Sequence, residues 1–175
     1  MHRRALLAAL ALSPLAARAE DVPVFTFLSI DGGTLSSADW RGRPVLVTNT
    51  ASLCGFTPQL EGLQTLHEDL AQRGLVVLAV PSDDFAQELD SAQKVKEFCT
   101  IQYGITLPMT DILPVAKGRV HPFFAWVKAQ TGFVPDWNFN KVLLDPEGRV
   151  VKTWRSLTTP GSAEIAAALA PYLKT

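Results

Sequence analysis

Cysteine is scarce in this chain, with only Cys54 and Cys99 among 175 residues. That excludes a disulfide-rich scaffold and a cysteine-ligated metal cluster. Histidine is nearly as scarce. His2, His67 and His121 show no metal-ligand spacing with one another or with the cysteines, so no metal is expected. There is no glycine-rich phosphate loop, and nothing in the pattern implies a cofactor. Repeats, low-complexity tracts and charge blocks are also missing. With 16 Lys+Arg against 17 Asp+Glu, the chain lacks the basic excess that nucleic-acid binding needs. No segment after the N-terminus is long and apolar enough to span a bilayer. What is present is 47% hydrophobic residues, enough for one globular domain with a real core.

The N-terminus follows a different grammar. His2, Arg3 and Arg4 form a basic start, an apolar run covers 5–12, and Ala17-Arg18-Ala19 precedes Glu20. This is the three-part pattern of a secretory signal peptide, with cleavage expected after Ala19. The Arg pair is a weak twin-arginine signal, and general secretion is the expected route. The mature domain is then residues 20–175. Without Arg3, Arg4 and Arg18, 13 basic residues face 17 acidic ones, a net charge of about −4. A periplasmic location is expected, where two cysteines can become a disulfide.

Hydrophobic periodicity sets the element order. Asp31-Gly32-Gly33 marks a turn between two short β-like runs, a leading hairpin. Residues 44–52 and 75–82 read as strands buried on both faces. Between them Leu60, Leu63, Leu66 and Leu70 have helical spacing, ended by Gly74. Residues 91–103 read as a helix with Val95, Phe98, Cys99 and Ile101 among its apolar positions. His121-Pro122 opens another helix. Residues 140–154 form a hairpin around Asp145-Pro146-Glu147-Gly148, and 162–173 close the chain as a helix. This order suggests an α/β mixed sheet with helices on both faces, a thioredoxin-like layout.

Cys54 falls where the first of these strands ends and the first helix begins. Helix N-termini carry unpaired N–H groups and the positive end of the macrodipole, and both favour a thiolate. A cysteine pKa near ~8.5 can drop to roughly 3.5–7.5 in such a place. Gly55 permits close approach to the backbone, and Pro58 suits an early helical position. Position alone leaves a buried structural cysteine open as the alternative.

The stretch NTASLCGFTPQLEGLQTLHEDLAQRGLVVLAVPS resembles the glutathione peroxidase family, whose pattern around the peroxidatic residue is N-x-A-S-x-C-G-x-T. The likeness continues through KEFCTIQYGITLPM and HPFFAWVKAQ to DWNFNKVLLDPEGRVV, nearly all of the mature chain. It implies a thiol peroxidase that reduces hydrogen peroxide or organic hydroperoxides. Cys54 matches the catalytic residue, whose thiolate becomes a sulfenic acid. Trp137 and Asn138 match the tryptophan and asparagine of the family's W-N-F motif, which supply hydrogen-bond donors beside the sulfur. The short segment 127–137 resembles the monomeric subgroup and weakens the case for glutathione as donor.

One stretch departs from the pattern. Where the family reads P-C-N-Q-F-G-G-Q-E-P, this chain reads PSDDFAQEL, one residue shorter. Asp84 stands at the position of a catalytic glutamine. An ionised carboxylate cannot donate to a thiolate, and its charge would oppose one. Asp84 is therefore open to three readings: turned away, protonated, or taking part in proton transfer. Gln87 belongs to the later Q-E pair and does not match that glutamine.

Cys99 matches a resolving cysteine of the resemblance. Its partner in an intramolecular disulfide would be the Cys54 sulfenic acid, and a thioredoxin-like protein or glutathione would reduce the bond. The alternative for Cys99 is a buried apolar residue of its helix. Two other functions stay open. A thiol–disulfide exchange protein normally needs C-x-x-C, which Cys54-Gly55-Phe56-Thr57 lacks. A non-catalytic domain stapled by Cys54–Cys99 would have no use for donors around one sulfur.

Overall fold

The computed structural model describes residues 22–175, so the leader expected over 1–19 lies outside the described residues. The chain opens with a small antiparallel hairpin, β1 (Thr26–Leu28) and β2 (Thr34–Ser36). Its turn needs left-handed backbone, which Gly32 and Gly33 supply at φ 89° and 74°. A short 3₁₀ turn at Ser37–Trp40 leads into β3 (Val45–Thr50). Then come α1 (Gln59–Leu70), β4 (Val76–Pro81), α2 (Ala92–Tyr103) and α3 (Pro122–Thr131). The hairpin β5 (Lys141–Leu144) and β6 (Val150–Trp154) and the helix α4 (Ala163–Leu169) complete the chain.

The four longer strands form one sheet in the order β4-β3-β5-β6. β3 and β4 run parallel, joined through α1, with Val45 opposite Val76 and Thr50 opposite Pro81. β5 returns antiparallel on the other side of β3, and β6 antiparallel to β5. Every residue of β3 and β4 is buried, as strands covered on both faces require, and the outer edge of β4 is bridged at Ala79 by Met109.

Alternation sorts their side chains into two layers. Leu46, Val77, Ala79 and Leu143 face Leu60 and Leu63 of α1, Val95 and Cys99 of α2, and Ile165 and Leu169 of α4. Val45, Val47, Leu78, Val80 and Val142 face Phe123, Phe124 and Val127 of α3, together with Phe25 and Phe27. The second layer is strongly aromatic. Phe123 meets Phe25 and Phe124 edge-on at centroid distances of 5.4 and 5.1 Å, and Phe27 stacks on His121 at 4.5 Å. The result is a mixed α/β sheet with helices on both faces, a thioredoxin-like fold.

The helix ends follow local chemistry. The Ser91 hydroxyl caps α2, and Gly104 closes it in the left-handed region at φ 60°. His121 caps α3, with Pro122 in its first turn. Not every apolar position of α2 faces the core: Ile101 is 76% exposed. It lies six residues after Val95, about 240° round the helix, so it faces away from the sheet while Val95 and Cys99 face it.

Candidate active site

Cys54 lies in the turn that joins β3 to α1, one turn before the helix begins. Thr57 N–H donates to the Cys54 carbonyl (3.0 Å), and the next amides step into α1 through bonds from Gln59 to Phe56 and from Leu60 to Thr57. The Thr57 hydroxyl accepts the Cys54 N–H (3.1 Å) and reaches the carbonyls of Ala51 (2.8 Å) and Cys54 (2.7 Å). Thr57 thus fixes the corner from inside. The donor that reaches the sulfur is the Phe56 N–H, at 3.4 Å. The helix-end contribution expected from the sequence narrows to that one backbone group. Cys54 is 7% exposed and borders the core, while its neighbour Leu53 stands in solvent.

Trp137 and Asn138 reach the same end of the sheet through a backbone clamp. The Asn49 side chain at the end of β3 donates to the Trp137 carbonyl (3.0 Å) and accepts the Asn140 N–H (3.0 Å). The Phe139 N–H donates to the Asn49 carbonyl, and Phe139 itself is held at φ 61°, a region costly for a bulky side chain. Trp137 is 40% exposed and leans on Phe85, with ring centroids 5.4 Å apart. Asn138 is fully buried. Its Nδ2 donates to Gln87 Oε1 (3.0 Å), and its carbonyl accepts the Ser156 hydroxyl (2.6 Å). Its Oδ1 is buried without a partner among the described residues.

Asp84 takes the first of its three readings: it is turned away. Its Oδ2 accepts the backbone N–H groups of Val115 (2.8 Å), Ala116 (2.6 Å) and Lys117 (3.1 Å), and the Lys117 ammonium returns to the Asp84 carbonyl (2.6 Å). The carboxylate organises the 115–117 loop. Three charge-assisted bonds to one oxygen set a clear expectation. Asp84→Ala should lose about 2–3 kcal/mol of unfolding free energy by urea titration, with the rate of Cys54 oxidation little changed. A rate that falls while stability stays unchanged would place the carboxylate at the chemistry instead.

Three residues that the sequence did not single out complete the surroundings. The Gln87 carbonyl accepts the Leu53 N–H (2.9 Å), so Gln87 touches both the Cys54 turn and Asn138. Glu88 Oε1 accepts the N–H groups of Ser52 (3.0 Å) and Leu89 (2.9 Å), while Oε2 is buried without a partner among the described residues. Burial pushes the Glu88 carboxyl above its usual range, against the hydrogen bonds from Ser52 and Leu89 that favour the anion. Lys141 is 0% exposed. Its ammonium donates to Gln59 Oε1 and to the Phe139 carbonyl, both at 2.7 Å, and so ties the start of α1 to the 137–140 loop. Burial pushes the Lys141 pKa down to about 7. The one available signal was the shortened PSDDFAQEL loop, which draws Gln87 and Glu88 toward the cysteine. A lysine at the mouth of a strand gives no sign that it is enclosed.

Cys99 lies on the sheet-facing side of α2, 3% exposed, in the same buried layer as Cys54. Both are free thiols. Burial, and then the Glu88 charge, push the Cys99 thiol up to about 12. Among the described residues no cluster of three or more His, Cys, Asp or Glu is placed to hold a metal, and no helix is long and apolar enough to cross a membrane.

Comparison with known proteins agrees with this arrangement. The family model for glutathione peroxidase matches residues 23–128. A glutathione peroxidase of Lactococcus lactis is 37% identical over 146 residues, covering 80% of this chain and 92% of that protein. A hydroperoxy fatty acid reductase of Synechocystis is 38% identical over 154 residues, covering 82% and 90%. The crystal structure of Trgpx in its apo form is similar at a TM-score of 0.66 and 25% identity, over 85% of this chain and 92% of that one. A cysteine at a strand–helix corner, whose turn is tied through Gln87 to a buried amide from a distant loop, is thus set in a fold shared with proteins named for reducing peroxides. The chain belongs to the glutathione peroxidase family and is a thiol peroxidase that reduces hydroperoxides.

Proposed function

We propose that Cys54 is the peroxidatic residue and that Cys99 resolves it. The Cys54 thiolate attacks one oxygen of the hydroperoxide, the O–O bond breaks, and the leaving oxygen departs as water or an alcohol after taking a proton. Cys54 is left as a sulfenic acid. The Cys99 sulfur then displaces hydroxide from Cys54, which leaves as water once protonated, and an intramolecular disulfide forms. A dithiol reductant of the thioredoxin type attacks that disulfide and restores both thiols, itself becoming oxidised. Glutathione is the second donor. Trp137 and Asn138 serve as donors to the thiolate or to the peroxide oxygen as charge moves between them.

The observation that carries this reading is the Cys54 turn. Its sulfur receives a backbone N–H at 3.4 Å, and the Gln87–Asn138 pair ties the W-N-F segment to the same turn. We further propose that residues 1–19 export the chain to the periplasm and that the mature protein works as a monomer. The basic start, the apolar run and Ala17-Arg18-Ala19 support the first, and the short 127–137 segment supports the second.

The test is to treat the reduced chain with one equivalent of hydrogen peroxide, quench within seconds and map the thiols by mass spectrometry. A Cys54–Cys99 bond is the expected product, absent from Cys54→Ser. A Cys54 sulfenic acid with Cys99 free would leave Cys99 structural. Two untouched thiols would remove the mechanism altogether.

A further inference from the structure

The chain turns sharply between Asp84 and Gln87. Asp84 is drawn outward to the 115–117 amides, and Ala86, at φ 55°, sits in the left-handed region that alanine rarely adopts. The strained turn delivers Gln87 inward. There its carbonyl takes the Leu53 N–H (2.9 Å), and its side-chain Oε1 takes Asn138 Nδ2 (3.0 Å). Asn138 is fully buried, and Gln87 is the partner of its carboxamide; the other end, Oδ1, has none among the described residues.

A primary amide held at one atom is free to turn about its side-chain bond until something fixes it. The bond to Gln87 is what fixes it here. It occupies one N–H of Nδ2 and leaves the second N–H with a defined direction. Because the same glutamine is bonded through its backbone to the residue beside Cys54, that direction is set relative to the sulfur.

We propose that Gln87 is a positioning residue of the peroxidase reaction, joining the Cys54 turn to Asn138 and setting the donor that Asn138 offers. This rests on Cys54 being the reacting thiol. Gln87 acts through Asn138 rather than on the peroxide.

The test compares Gln87→Ala and Gln87→Glu with the parent chain, all reduced. Three quantities are measured: the second-order rate of Cys54 oxidation by hydrogen peroxide, the pH profile of Cys54 alkylation by iodoacetamide, and the thermal midpoint. Gln87→Ala is expected to slow oxidation by about 10- to 100-fold, as loss of donor alignment does. It should also move the alkylation midpoint to higher pH. Gln87→Glu keeps the acceptor for Asn138 and should recover part of the rate. Its added charge should raise the alkylation midpoint further. Unchanged rate and alkylation in Gln87→Ala would overturn the proposal. So would equal slowing in both variants with no movement of the alkylation midpoint, since that is what loosened packing alone would give. If Gln87→Ala fails to fold, the Gln87→Glu profile decides by itself. A parent chain inert to peroxide would defeat the peroxidase mechanism, while the alkylation profiles would still decide for or against Gln87.

Discussion

A Cys99→Ser protein is expected to consume one equivalent of peroxide per chain and then stall when a thioredoxin-type dithiol is the reductant. Turnover should fall by about two orders of magnitude or more, because an intramolecular thiol acts at a far higher effective concentration than any partner in solution. The reason lies in α2. In the closed helix burial, and then the Glu88 charge, push the Cys99 thiol up to about 12, so near pH 7 the thiol form dominates. The thiolate is the species that attacks, so the closed form is almost unreactive. On the proposed mechanism, resolution by Cys99 would call for α2 to open and take Cys99 away from the core and from the Glu88 charge.

The helix is built for a low opening cost. Of its twelve residues only Val95 and Cys99 are fully buried; Phe98 and Tyr103 pack partly against the same core, and the Ser91 cap, the Gly104 close and the exposed Lys94–Asp90 and Lys96–Asp31 pairs hold the rest. Hydrogen exchange should show protection lost over 92–103 in the peroxide-treated parent and kept in Cys99→Ser. Cys99→Ala guards against the cost of a buried hydroxyl. Parent-like turnover in both variants would make Cys99 a core filler.

The second large effect is on stability against pH, through Lys141. Its pKa is about 7 in the folded chain against an ordinary 10.5. Between those values the unfolded chain holds a proton that the folded chain has released, so stability rises with pH. Below pH 7 the burial penalty is fully present. Above 10.5 it is gone. Cys99 works in the opposite sense, because its folded value lies above its ordinary 9.0, and stability falls as pH rises past 9. The clean window is therefore pH 7 to 9, with an expected gain of up to about 1.4 kcal/mol per unit from Lys141. A neutral amine still has two N–H groups for Gln59 and Phe139, so both bonds survive deprotonation. Urea titrations at pH 7, 8 and 9 measure the slope. Lys141→Met should flatten it whatever its absolute stability. A flat parent profile would mean that the two acceptors hold the ammonium charged throughout.

The sequence carried the frame of this molecule and only part of its site. The apolar starts of β3 and β4 read as strands covered on both faces, and the spacing of Leu60 and Leu63 as the core face of a helix. Ser91, Gly104 and His121-Pro122 announced helix ends because capping is a local matter of one or two residues. Cys54 was legible for the same reason: a cysteine between such a strand and such a helix has a fixed place. The direction of Asp84 was not legible, since it depends on three amides thirty residues away. Gln87 was passed over because its meaning comes from Asn138, 51 positions later. Lys141 looked like an ordinary strand-end lysine, and its enclosure depends on Gln59 and on the unusual backbone of Phe139. The exposure of Ile101 was not legible, because an apolar side chain in a helical window does not say which side of the helix it occupies.

If α2 opens during turnover as proposed, the two layers of the sheet would divide the labour of the cycle. Both thiols belong to the α1, α2 and α4 side, and the interlocked rings of Phe25, Phe27, Phe123 and Phe124 belong to the other. A chain that unfastens α2 at every turnover would drift toward full unfolding if the moving part were also the anchor. Here the anchor is on the far side of β3 and β4. The aromatic layer would then work like the fixed jaw of a hinge, and wear would fall on a helix that the rest of the fold could spare for a moment.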